Sequence, residues 1–482
     1  MSTLKLLGFA VASAALCACA SMRDNTGAPA ILAVIGATVV YPERDGDNTL
    51  PDATVVISGE RIVAVGPRGT TQVPAGATRI DGTGKWLIPG LIDGHVHFFQ
   101  SGNLYTRPDA ADFNAVVPYA QEMARNKARL AATFKVWLAS GVTSVIDVGG
   151  PFWNFAVRDA AQKSAAAPRV ETTGPLISMV TRPQLDLDDP PIVKVDSADA
   201  ARALVAREMP HRPDYIKVWF IHQPGDDLAA QAAIVHATAQ AAHAQHVRLA
   251  VHATELDVAK SALRAGADYL VHSVFEEPID DEFIALMRSH HALLCPTLFV
   301  TNGYRLALSD RWQPTSEEQR LADPQILAGM RDLEKIPKDK LPPRIAKLIA
   351  DKPAIAPPTV SMQNLKRLQD AGIPIVMGTD AGNIGTLHGP SVFREMKLMQ
   401  ESGLTPLQVL RSATTNGAKA MGREDLGAIA PGKLADLVLL DADPLADVAS
   451  LSHAVRVIKN GIVYEPAALI ESIRWRRTDR LQ

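Results

Sequence analysis

Two histidines separated by one residue, His95-Val96-His97, follow directly on Pro89-Gly90-Leu91-Ile92-Asp93-Gly94. Residues i and i+2 of a strand point to the same side, so both imidazoles can face one metal ion. Taken alone, the pair could equally be two exposed histidines at a strand end. Three other apolar runs end in a group that is costly to bury. Leu249-Ala250-Val251 ends in His252, Tyr269-Leu270-Val271 in His272, and Ile375-Val376-Met377-Gly378-Thr379 in Asp380. A fourth run, Tyr215-Ile216-Lys217-Val218-Trp219, carries an ammonium in its middle. An unpaired buried charge is expensive. Lys217 therefore snorkels out, pairs with a buried acid, or has its pKa lowered until the neutral amine can take up CO2 as a carbamate. A carbamate has two anionic oxygens and can bridge two cations.

Each run has a bland explanation: a rim histidine, or an aspartate capping a loop. Taken together, those explanations need a separate coincidence at the same end of each strand. His95, His97, Lys217, His252, His272 and Asp380 are thus expected to meet in one metal centre. Their nitrogen and oxygen donors suit Zn2+ and admit Mn2+ or Co2+, and charge balance favours two divalent ions. Two ions roughly 3.5–4 Å apart would acidify a shared water and leave it as a bridging hydroxide. The more exposed ion would polarise a substrate carbonyl. Asp380 would take the proton from the hydroxide and pass it to a leaving nitrogen, as general base and then general acid.

Converging these groups requires strands that all end at one mouth. Short β-rich runs at 87–93, 142–148, 169–177, 214–219, 247–252, 268–273, 291–299 and 373–378 alternate with helical patterns at 118–139, 197–208, 227–245, 255–265, 279–289 and 358–371. Eight strands, each followed by a helix, predict a (β/α)8 TIM-type barrel, whose chemistry sits at the C-terminal strand ends. The charged stretch 301–358 reads as helical excursions over that mouth. Alternating runs at 31–41, 54–66 and 78–88, and again at 435–441 and 455–464 around Asn460-Gly461, predict a small β-sandwich built from both chain ends. The fold class is α/β, with sandwich segments at 28–86 and 426–470, the barrel at 87–425 and a tail at 471–482.

The 482 residues suffice for such a barrel and a satellite domain. With 47% hydrophobic and 21% charged residues the composition is that of a soluble globular enzyme. A net charge of -3 without a basic stripe gives no basis for nucleic-acid binding. Residues 1–20 read as a signal peptide: a weakly positive start, then an apolar run at 6–19 shorter than the roughly 20 residues a membrane-spanning helix needs. Leu16-Cys17-Ala18-Cys19 resembles a bacterial lipobox, with Cys19 as the lipidated residue; an ordinary signal cut before Ser21 is the competing reading. The expected location is the bacterial periplasm, free or anchored to the outer membrane through that lipid. Cys295 is the one cysteine outside the leader, so no intrachain disulfide is available.

The run from Pro89 to His97, the strand-borne Lys217, His252, His272, Gly378-Thr379-Asp380-Ala381-Gly382 and Pro431-Gly432-Lys433-Leu434-Ala435-Asp436-Leu437-Val438 resemble the amidohydrolase superfamily. Within it they resemble the imidazolonepropionase-like and prolidase-like members. The resemblance implies that His95, His97 and Asp380 hold the more buried ion, His252 and His272 the more exposed one, and carboxylated Lys217 bridges them. Two departures bear on substrate contacts: Thr254 stands where many relatives have a second histidine, and the usual Glu-His-Gly is missing around His272.

The leading expectation is a binuclear hydrolase of C–N amide bonds in dipeptides, Xaa-Pro-like peptides or N-acyl amino acids. A substrate carboxylate would need a cation at the mouth; Arg182, His222 and His388 are positional candidates. The alternatives are a mononuclear cyclic-amide hydrolase or deaminase of the imidazolonepropionase type, with Lys217 unmodified, and a non-enzymatic metal-binding lipoprotein.

Overall fold

The computed structural model describes residues 30–473 and Trp475. The expected leader, Cys19 within it, and most of the expected tail lie outside those residues. Both end regions do form strands, joined in one eight-stranded sheet. Ile31–Val40 pairs antiparallel with Thr49–Ser58, which pairs antiparallel with Arg61–Pro67. Ile31–Val40 also pairs in parallel with Thr78–Asp81 and Trp86–Pro89. Trp86–Pro89 stitches the chain ends together, because its other edge pairs antiparallel with Leu437–Leu440. Ala454–Lys459 and Ile462–Tyr464 complete the sheet. Between them Asn460 and Gly461 have φ of 50° and 74°, the left-handed conformations that a two-residue hairpin turn demands. A bridge between Arg61 and Leu434 draws the sheet's far edge back toward its other end. The enclosed core includes Val34, Val55, Ile57, Leu87, Leu437 and Ile458.

The central region is built on parallel strands. Leu91–Val96, Val142–Asp147 and Arg169–Thr172 form one three-stranded sheet. Leu176–Ser178, Tyr215–Trp219, Arg248–His252, Tyr269–Val271 and Leu293–Cys295 follow in spatial order in a second, six-stranded sheet. Its remaining edge strand is Ile192–Lys194. Isolated parallel bridges Leu294↔Ile375 and Val96↔Ala381 tie the segment 373–381 to the outermost strand of each sheet.

Three expected strands differ in detail, each for a local reason. The run 87–93 divides at Gly90, with Trp86–Pro89 in the terminal sheet and Leu91–Val96 in the parallel one. Gly90 is crowded against the Thr143 side chain, where a Cβ has no room. The run 169–177 breaks at Gly174, whose φ of 85° ends one strand before the next begins. The run 373–378 keeps its place, but its regular pairing is limited to the bridge at Ile375.

Helices Tyr119–Ala139, Ala198–Glu208, Leu228–His243, Leu256–Arg264, Asp281–Ser289 and Thr359–Asp370 fall on the segments that helical periodicity singles out. Ser197, Asp227 and Asp280 cap three of them by accepting from first-turn backbone N–H groups. Alternation along Tyr215–Trp219 turns Ile216 and Val218 toward the packed helices. Tyr215 and Lys217 share the opposite face, and Tyr215 packs there with Tyr269, Val271, Cys295 and Val376. The stretch 301–358 is helical as expected. It encloses its own core, Leu308, Trp312, Ile326 and Ile345, against Leu104, Phe113, Ile384 and Leu387.

Candidate metal centre

Asp93 begins the site. It is fully buried and faces the same side as His95 two residues on. Its Oδ1 accepts from the His95 and Thr379 backbone N–H groups at 3.1 and 3.0 Å, and its Oδ2 from Thr379 Oγ1 at 2.6 Å. Burial raises its carboxyl to about 7 against the pull of those hydrogen bonds. One side chain thus pins the histidine strand to the loop that carries Asp380.

Across that joint, His95 Nε2 and His97 Nε2 lie 3.3 Å apart. Asp380 Oδ1 is 3.3 Å from the first and 3.1 Å from the second. Among the described residues these three make up a group whose ligand atoms lie close enough to share an ion. His97 Nδ1 is 2.7 Å from the Gly149 carbonyl oxygen. A carbonyl only accepts, so Nδ1 carries a proton, and a ring protonated there alone has Nε2 as its acceptor. Burial holds His95 well below its ordinary 6.5. Two imidazole acceptors and a carboxylate oxygen converging on one point fit a cation. Asp380 remains a carboxylate: burial works against it, but His95 and His97 hold it well below the ordinary range.

Lys217 is 1% exposed, and its Nζ has no hydrogen-bond partner among the described residues. Burial lowers it to about 7, opposed by the nearby Asp380. An orphaned buried amine beside a ligand cluster fits the bridging role better than a structural ion pair, which would show its acid. His272 stands between the two halves of the site, with ring centroids 4.8 Å from His95 and 4.5 Å from His252. Its Nδ1 is bonded to Thr297 Oγ1 at 2.6 Å, which leaves Nε2 for a ligand. His272 and Asp380 have φ of 76° and 57°. Such left-handed backbone costs a non-glycine residue about 1 kcal/mol or more and collects at functional sites.

All six expected ligands line one cavity of about 580 Å3. Leu176, Leu185, Ile192, Trp219 and Phe275 make an apolar side to it. The three expected carboxylate-binding cations do not line it. Arg182 has its guanidinium 4.8 Å over the Trp219 ring and 3.7 Å from Asp109. His222 is bonded through Nδ1 to Gln231 at 2.8 Å. His388 is buried, stacks on Phe98 and bonds the His97 carbonyl oxygen. Burial holds it to about 4, so it brings no charge. The cavity instead contains Arg107, Tyr304 and Asn383, which no strand pattern singles out. Asp93 stands in the motif two residues before His95, and its link to Thr379, 286 residues on, has no local signal.

The amidohydrolase family pattern matches residues 86–463. Imidazolonepropionase of Streptomyces avermitilis is 26% identical over 441 residues, covering 90% of this chain and 88% of that protein. A solved Xaa-Pro dipeptidase with bound methionine is 23% identical with a TM-score of 0.68, over 90% of this chain and 100% of that one. Solved molinate hydrolase is 22% identical with a TM-score of 0.69, over 94% and 98% of the two chains. At these identities the two structures establish the shared fold.

Proposed function

The chain belongs to the amidohydrolase family and is a hydrolase of carbon–nitrogen bonds; from this premise we propose that it is a binuclear amidohydrolase cleaving dipeptides, Xaa-Pro-like peptides or N-acyl amino acids. The observation that carries this reading is the convergence of His95, His97, Lys217, His252, His272 and Asp380 on one cavity. The two parallel sheets are read as arcs of one (β/α)8 barrel, supported by the bridges at Ile375 and Ala381.

His95, His97 and Asp380 would hold one ion, His252 and His272 a second, and carboxylated Lys217 would lie between. Zn2+ is the favoured metal, with Mn2+ or Co2+ compatible with the donors. When bound, such ions supply a water acidified toward neutrality and a Lewis acid for the carbonyl oxygen. The residues of the chain do the rest. Gly149 and Thr297 orient the rings of His97 and His272. Asp380 accepts the proton of the attacking water and returns it to the amide nitrogen as the C–N bond breaks. The apolar wall at Leu176, Leu185, Ile192 and Trp219 receives the uncharged part of the substrate. The leader is proposed to direct export, with Cys19 as lipid acceptor; mass spectrometry of the mature N-terminus would show either the lipid or a start at Ser21.

A second, mononuclear reading is favoured by one observation: the compact three-ligand group is His95, His97 and Asp380. Metal analysis of protein purified with Zn2+ and 13C-bicarbonate separates the two. Near two ions per chain with a carbamate 13C resonance, and hydrolysis within a panel of dipeptides and N-acyl amino acids, is expected. One ion per chain without that resonance sinks the binuclear reading.

A further inference from the structure

Asp380 has a neighbour whose orientation is determined from outside the metal centre. Asn383 Nδ2 donates to Asp380 Oδ1 at 2.5 Å and to the Asp380 carbonyl oxygen at 3.3 Å. A side-chain amide can turn either its oxygen or its nitrogen toward a carboxylate, and only the nitrogen bonds to it. Two donors on the far side make that choice. Tyr304 Oη at 2.6 Å and Arg107 Nη1 at 2.7 Å both donate to Asn383 Oδ1, occupying both of its lone pairs. A flipped amide would set its NH2 against the Arg107 guanidinium, which only donates, and its oxygen against a carboxylate, losing both of those bonds.

The two donors are themselves fixed. Arg107 is held through Nε and Nη2 by both oxygens of Asp109 at 2.7 Å. Tyr304 stands on helix Val300–Leu308 in the insert over the cavity mouth. That helix sits directly on the 380–386 loop: a Cβ on Gly385 would lie 2.5 Å from the Gly303 carbonyl oxygen, and one on Gly303 3.3 Å from that of Ile384.

Asp380 Oδ1 is also the oxygen that faces His95 and His97. Its Oδ2 has no hydrogen-bond partner among the described residues. We infer that Asn383 is a positioning residue that assigns separate tasks to the two oxygens of Asp380, holding Oδ1 to the ligand side and leaving Oδ2 for the proton, with Tyr304 and Arg107 setting its amide. This rests on the reading of Asp380 as ligand and proton carrier. The water oxygen bonds to the carbonyl carbon as its proton goes to Oδ2, and that proton passes to the amide nitrogen as the C–N bond breaks, so water and amide give a carboxylic acid and an amine with no further reactant.

The test is a double-mutant cycle on Asn383→Ala and Tyr304→Phe, read by two measurements on the full chain. One is the zinc dissociation constant from chelator competition; the other is the kcat and KM split on a hydrolysed amide from the panel. Asn383→Ala should weaken zinc or lower kcat by about 10- to 100-fold, the range for partners of metal ligands, with KM within threefold. Tyr304→Phe should have a smaller effect of the same kind. That effect should vanish in the Asn383→Ala background, because the hydroxyl acts only through the amide. A structural role alone would lower Tm additively and leave the cycle flat. An additive cycle, or Asn383→Ala with wild-type zinc affinity and kcat, overturns the inference. If no amide is hydrolysed, the proposed function fails, while the zinc cycle still decides the role of Asn383. If Asn383→Ala folds poorly, Tyr304→Phe and Arg107→Lys supply the same readout, and wild-type zinc affinity and kcat in both overturn it.

Discussion

At the residue scale, the groups that define the site are those the apolar runs could not hide. Lys217 lies inside a strand whose even members face packed helices, with its amine on the inner face and no acid bonded to it. Lys217→Met keeps most of the volume and removes the bridging group. It should reduce bound zinc from two ions per chain to one and abolish any bicarbonate dependence, as read by metal analysis. Asp380→Asn keeps the shape but cannot take up the proton. It should lower kcat by about 10^2- to 10^4-fold, the usual range for losing a general acid–base group. Activity within threefold of wild type would remove Asp380 from the proton path.

At the element scale, what matters is how closely the strands approach beneath the site. Gly94 lies between two metal-centre residues in sequence, and it is glycine because nothing larger fits. A Cβ there would lie 2.5 Å from Val376 Cγ1 and 2.6 Å from Tyr269 Oη. Gly94→Ala must push neighbouring strands apart, and overpacking of this kind costs roughly 1–3 kcal/mol. The substitution should lower Tm and loosen zinc together, measurable by calorimetry and metal titration. Asp93 joins two elements in the same region. Asp93→Ala leaves the donors of His95 and Thr379 buried without an acceptor, at about 1–3 kcal/mol for each group. Its loss of stability should therefore exceed that of Asp93→Asn.

At the scale of the whole molecule, segments far apart in sequence are locked by buried polar groups with their own pH dependence. Glu395, on helix Ser391–Glu401, accepts from the backbone N–H groups of Leu298 and Phe299 at 2.7 and 3.0 Å and is fully buried. Burial raises its carboxyl from 4.5 to about 8, against those two bonds. The folded chain therefore binds a proton that the unfolded chain releases above about 4.5. The stabilisation is complete below that pH and is lost as pH rises toward about 8, by at most about 1.4 kcal/mol per pH unit. Glu395→Gln should flatten the fall in stability between those limits, as checked by denaturation at several pH values. The described residues include no helix long and apolar enough to cross a membrane. Exhaustive chelation should lower Tm, since a ligand of the folded state alone stabilises it by mass action. An unchanged Tm would separate the ions from the fold.

Local sequence was enough to mark out the alternating strands and helices and the six candidate ligands. A charged or metal-ligating group in or at the end of an apolar run stands out against what burial tolerates. The hairpin turn at Asn460-Gly461 was legible for the same local reason. Tertiary structure decided what depends on distance across the chain. It joined the two end regions through Trp86–Pro89 into one sheet, and it broke two expected strands at Gly90 and Gly174. It left Arg182 and His388 out of the cavity lining, and it brought Asn383 to Asp380 with Arg107 and Tyr304 bonded to its amide. Periodicity reports which face of an element is buried. Which neighbour covers that face, and which polar atom it offers, is determined only when elements hundreds of residues apart pack together.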